Sequence, residues 1–90
     1  MKRIYKYPIP VANEFVVAMP LGAEVLHVGV QDERPHLWAL VDPDQPSRDY
    51  RFRMHGTGHP VEDVITGGMH IGTFMLGGGS FVGHIFQIER

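Results

Sequence analysis

Apolar and polar residues alternate with a period of two along much of this chain, and glycine or proline interrupts the pattern every few residues. That leaves room for strands of about five to eight residues and for almost no helix. The spacing predicts seven strands, at about Arg3–Ile9, Glu14–Met19, Glu24–Gln31, His36–Asp42, Asp49–His55, His70–Leu76 and Ser80–Ile88, with a turn between each pair. The expected fold is all-β: one domain over residues 1–90, built as a small antiparallel β-sandwich or partly open barrel of six to seven strands, with at most one short helical turn.

Individual segments sharpen this. Leu26, Val28 and Val30 alternate with His27, Gly29 and Gln31, which predicts a strand with the first set inward and His27 on the opposite face. Leu37-Trp38-Ala39-Leu40-Val41 is nearly unbroken apolar sequence. It reads as a central strand covered on both faces, or covered on one and used for self-association on the other, with Trp38 and Leu40 sharing that second face. In the fifth strand Tyr50, Phe52 and Met54 point one way and Arg51, Arg53 and His55 the other. Gly77-Gly78-Gly79 predicts a hairpin turn. Gly56 to Met69 is the longest irregular stretch, with room for one helical turn begun at Pro60 and carrying Val61, Val64 and Ile65.

Composition bounds the function. A 90-residue chain removes only about 60% of its unfolded surface from water, so its core is marginal without a disulfide, a metal or a partner subunit. There is no cysteine, which raises the expectation of a homo-oligomer and rules out a thiol nucleophile. A hydrophobic share of 43% with 20% charged residues is that of a chain that folds. Net charge is −2 and the pI about 6.3, so no overall positive field favours a nucleic-acid polymer. No apolar run is long enough to span a bilayer, and Lys6 and Pro8 interrupt any signal-peptide core. No membrane partner and a cytoplasmic location are expected.

The strongest candidate chemistry is Arg51-Phe52-Arg53-Met54-His55 running into Gly56-Thr57-Gly58-His59. Alternate residues of a strand lie about 6.5–7 Å apart on one face, so Arg51 and Arg53 can grip neighbouring phosphates while glycine amides converge on an anion. The same pattern also describes an ordinary solvated sheet face with a glycine turn, and it is no P-loop. Of six histidines only His55 and His59 are close in sequence, across glycines rather than on a helix, so neither a metal site nor a cofactor is expected. His84 alternates with Val82, Phe86 and Ile88, which suits a half-buried, hydrogen-bonded histidine or one facing a ligand. The carboxylates fall mostly at turns and strand ends, and neither Ser47 nor Ser80 sits in a nucleophile motif, so no catalytic residue is assigned and no enzyme is expected. Tyr5 and Tyr7 share a strand face, and Tyr5 or Trp38 could stack on a base.

The runs Lys2–Pro10, His27–Gln31, Leu37–Pro43, Arg51–Arg53, Gly56–Pro60 and His70–Phe74 resemble those of short proteins of unknown function found in tailed phages and prophages. The resemblance spans nearly the whole chain and implies a phage accessory protein acting in the infected host cytoplasm. It carries over no catalytic or binding residues. Two expectations follow. One is a homo-oligomeric anti-defence sponge that sequesters a phosphate-bearing nucleotide signal through Arg51, Arg53, His55, Thr57, His59 and His84, with Tyr5 or Trp38 stacking. The other is an inhibitor or adaptor that docks a host or virion protein through the strand around Trp38.

Overall fold

The computed structural model describes residues 1–61 and 68–88. The seven expected strands all form: β1 (Arg3–Pro8), β2 (Glu14–Pro20), β3 (Glu24–Gln31), β4 (Arg34–Val41), β5 (Ser47–Gly56), β6 (Met69–Leu76) and β7 (Phe81–Gln87). They make two antiparallel sheets, one of three strands in the order β1-β4-β3 and one of four in the order β2-β5-β7-β6. The helical turn expected after Pro60 falls on Val64 and Ile65, outside the described residues.

The alternation explains the core. Leu37, Ala39 and Val41 of β4 and Val28 of β3 point inward from the smaller sheet. Phe15, Val17 and Met19 of β2, Tyr50, Phe52 and Met54 of β5, Phe74 of β6 and Ile85 of β7 meet them from the larger one. Phe15 and Phe52 stack directly across the β2–β5 pair, ring centroids 5.2 Å apart. The Tyr50 hydroxyl accepts the amides of Gly22 and Ala23 at 3.0 and 3.2 Å, which pins the β2–β3 turn to β5.

One part of the expected pattern fails. Leu26 and Val30 do not join Val28 in the core: they are 48% and 40% exposed. The pairing of β3 with β4 shifts register between Val25 and His27, so an extra residue bulges out at Leu26 and the inward positions become Val25 and Val28. Val30 lies one residue from the end of the strand, where little remains to cover it. The turn that follows is a two-residue loop, Asp32-Glu33, in which both residues take left-handed φ of 55° and 64°. That is the type I′ geometry a tight hairpin favours, built without the glycine that adopts it most easily.

The sheets close on each other where β3 lies beside β6. Gly72 permits that approach: a Cβ there would sit 2.6 Å from the Val28 Cβ. The Gly77-Gly78-Gly79 turn between β6 and β7 is a short 3₁₀ turn whose three residues all have positive φ, at 57°, 68° and 99°.

These two backbone features respond oppositely to substitution. Glu33→Gly relieves left-handed strain and is expected to stabilise the fold by about 0.5–1 kcal/mol. Gly72→Ala pushes β6 off Val28 and is expected to cost about 1–3 kcal/mol. Urea denaturation of the two variants checks both signs.

Candidate functional site

The outer face of the larger sheet gathers most of the polar chemistry. β5 turns Arg51, Arg53 and His55 outward. β7 buries Gly83, Ile85 and Gln87, leaving Val82, His84, Phe86 and Ile88 half-buried on the same outer face. The register then fixes the neighbours. His84 lies across from His55 on one side and Thr73 on the other, while Phe86 lies across from Arg53 and His70. Simple alternation would send His70 and Thr73 to opposite faces. The register shift between His70 and Gly72 absorbs one residue and brings both to the outer side.

Four of these side chains are joined. Thr57 Oγ1 lies 2.7 Å from His84 Nε2, Thr73 Oγ1 lies 3.0 Å from His84 Nδ1, and Thr73 Oγ1 lies 3.1 Å from His70 Nε2. A neutral imidazole has one donor and one acceptor, and a hydroxyl has both, so two proton orders satisfy the chain. In one, Thr57 donates to His84, His84 to Thr73, and Thr73 to His70. In the other every donor reverses, and the Thr57 O–H is released to point elsewhere. The Thr57 amide donates to the Val82 carbonyl at 3.1 Å, which holds this loop residue against β7.

Around the chain, Phe86 meets two histidine rings edge-on, His55 at 6.0 Å and His70 at 5.3 Å between centroids. His55 Nε2 is buried with no hydrogen-bond partner, an arrangement that costs on the order of 1–3 kcal/mol. Arg53 forms an ion pair with Glu14, its partner across β2. Arg51 stands one step along the same face, opposite Val16.

His59 is exposed at the end of β5, where its ring fills the space in which a Cβ on Gly56 would come within 2.8 Å of it. The other expected residues lie elsewhere. Trp38 is half-buried on the outer face of the smaller sheet, between His27 at 5.6 Å and His36 at 6.0 Å. Tyr5 is paired with Ala39 on the opposite side of that sheet, at its open edge. It lies 6.4 Å from Tyr7, whose phenol is pushed up by burial and by Tyr5 beside it. One chain therefore brings together Arg51, Arg53, His55, Thr57 and His84, and leaves Tyr5 and Trp38 on another sheet.

A cavity of about 300 Å³ opens between the Gly56–His59 loop and the start of β7, lined by Thr57, His59, Gly79 and Ser80 among others. A second of about 320 Å³, with Asn13, Arg53 and His55 in its wall, shares His59 with it. A larger depression of about 660 Å³ at the Leu21–Val25 turn contains none of the expected residues, and Tyr50, which lines it, has its hydroxyl engaged by the Gly22 amide. Among the described residues no group of three or more His, Asp or Glu is placed to hold a metal, and no helix is long and apolar enough to cross a membrane.

Sequence reading missed His70 and Thr73 as members of this face, together with the Glu14 counter-charge. Gly72 within an otherwise regular strand was the available signal, since an isolated strand glycine marks a bulge or a close backbone approach. Thr57 and His84 have the separation of a hydroxyl nucleophile and its base. The second nitrogen of His84 meets a hydroxyl, however, where acyl-transfer triads place a carboxylate. A hydroxyl offsets less of an imidazolium's charge than a carboxylate does.

A family model described as Domain of unknown function (DUF7352) matches residues 1–90. No curated protein and no solved structure matches the chain.

The shared Thr73 hydroxyl is open to direct testing. Thr73→Val is expected to shift the ring ¹⁵N resonances of both His70 and His84 while leaving His27 unchanged, at a stability cost of no more than about 1 kcal/mol because Thr73 is exposed to water.

Proposed function

Because the chain belongs to the DUF7352 family, whose description assigns no activity, we propose from the geometry that it is a non-catalytic binding protein for a phosphate-bearing small molecule, a nucleotide signal being the leading class. The observation that carries this reading is the convergence of Arg51, Arg53, His55, Thr57 and His84 on one outer sheet face. Guanidinium, imidazole and hydroxyl groups are the donors that phosphate oxygens take. Glu14 competes for Arg53, but a cross-strand pair at the surface is worth only about 0.2–1 kcal/mol. A doubly charged phosphate can displace it.

Base stacking needs an aromatic group that this face does not take from Trp38 or Tyr5 of the same chain. Phe86, already bracketed by two histidines, supplies one, and a second copy supplies the others if the protein acts as a homo-oligomer. In this reading the protein is a phage accessory factor that sequesters an immune signal in the infected cell.

Calorimetry against cyclic dinucleotides, cyclic trinucleotides and cyclic ADP-ribose isomers tests the proposal. At least one is expected to bind, with Arg53→Ala weakening it by about 1.5–3 kcal/mol, the worth of a charge-assisted hydrogen bond. Absence of heat with every member, or steady turnover of one that depends on Thr57, removes the reading.

A second reading is favoured by the outer face of the smaller sheet. There Ile4 is 61% exposed, Trp38 and Leu40 are half-buried, and Leu26 protrudes at its bulge. Such a patch suits docking of a protein partner. A folded Trp38→Ala variant is expected to lose partners that the wild type recovers from host lysate, and retention of them takes this face out of consideration.

A further inference from the structure

The cavity between the two glycine turns and the hydrogen-bonded chain behind it share one residue, Thr57. Thr57 lines the cavity with His59, Gly79 and Ser80, and the same side chain meets His84 Nε2 at 2.7 Å. Among the described residues no carboxylate lines this cavity or the two that share His59 with it. We infer that this cavity takes an oxyanion on the Thr57 hydroxyl, and that His84, hydrogen-bonded behind Thr57, balances its charge by taking up a proton from water. The inference rests on the phosphate-binding reading and specifies where one phosphate sits and how its binding is regulated.

A hydroxyl carries a single proton. An oxyanion in the cavity accepts it, so Thr57 can then only accept a hydrogen bond from behind, and the group behind it is His84. The anion thereby selects the proton order in which His84 Nε2 bears hydrogen. The second nitrogen of His84 faces Thr73. If Nδ1 also gains a proton, Thr73 accepts it and turns its own O–H to His70 Nε2, 3.1 Å away. Every N–H of the imidazolium then has an acceptor, and no partner is left unsatisfied. The positive charge lies one hydroxyl away from the bound anion.

Other titratable groups lie near: His59 lines the same cavity, and further groups face His84 itself. From β5 it faces His55, whose Nε2 has no partner. From β6 it faces His70 and Thr73, with the His70 ring centroid 6.4 Å away. Arg53, one pair further along β5, is ion-paired to Glu14. His84 alone has both nitrogens held by hydroxyls that can reverse.

Sulfate is the probe, because its charge is constant near neutrality and any proton taken up from solvent on binding must be bound by the protein. Binding to the intact chain is followed by ¹H–¹⁵N spectra of amides and histidine rings. Sulfate is expected to move Thr57 and Ser80 amides and to bring both His84 nitrogens to imidazolium positions. Affinity should rise as pH falls from about 8 to about 6, by no more than about tenfold per unit for one proton. Thr57→Ser should keep this behaviour, whereas Thr57→Val should weaken binding and abolish its pH dependence. His84→Gln should keep a hydrogen bond to Thr57 but lose the pH dependence. Failure of sulfate to perturb Thr57 and His84, equal affinity at both pH values, or a Thr57→Val variant that behaves as wild type overturns the inference. If nucleotides bind while sulfate leaves Thr57 untouched, the inference fails and the phosphate-binding reading stands. If sulfate binds as described and no nucleotide does, the reverse holds.

Discussion

The antiparallel register of β5, β7 and β6 is the constraint on which the rest of this molecule depends. It places His55, His84 and Thr73 in one row and Arg53, Phe86 and His70 in the next. A slip of one residue in β7 would exchange its two faces, burying His84 and Phe86 and exposing Ile85. Ile85 is fully buried and Gly83 packs against Phe74, where a Cβ would come within 2.6 Å of the ring. The core therefore selects the register, and the outer face inherits its arrangement without having to stabilise the fold itself.

That division of labour decides what the sequence reveals. Period-two alternation reports which residues a strand buries, so the seven strands, the inward set of β5 and the half-buried place of His84 were all legible. Alternation cannot report a bulge. At Leu26 and again between His70 and Gly72 one extra residue reverses the expected faces, exposing Leu26 in the first case and uniting His70 with Thr73 in the second. Nor does alternation say which sheet a strand joins. Tyr5 and Trp38 were read as stacking groups beside the arginines because they are aromatic, yet β1 and β4 belong to the other sheet. The Arg53–Glu14 pair was invisible for the same reason, since it depends on β2 pairing with β5 across the two strands that lie between them in the chain.

The energetics of the outer face follow from its partial exposure. A fully buried chain of hydroxyls and imidazoles would have to satisfy every proton at a substantial desolvation cost. Here Thr57, Thr73 and His70 are exposed and His84 is half-buried, so water can serve either end of the chain. Neither proton order then leaves an end of the chain cut off from water, and an interaction at one end biases which order holds. The absence of a carboxylate from the chain matters equally: it would fix one order permanently by demanding an N–H from His84.

The two outer faces divide the possible work of the protein. The larger sheet presents arginine, histidine and hydroxyl groups, whereas the smaller sheet presents Ile4, Trp38 and Leu40 with Lys6 held by Gln31. A polar face with reversible donors suits a small charged ligand, and an apolar face with a half-buried tryptophan suits a macromolecular surface. A short chain without disulfides gains stability from any partner that binds its folded form alone. Occupancy of either face therefore stabilises the same core, and through the β3–β6 contact at Val28 and Gly72 the two sheets share that core directly. Ligand capture on one side and association on the other are compatible roles for one chain, because neither face supplies the residues that hold the fold together.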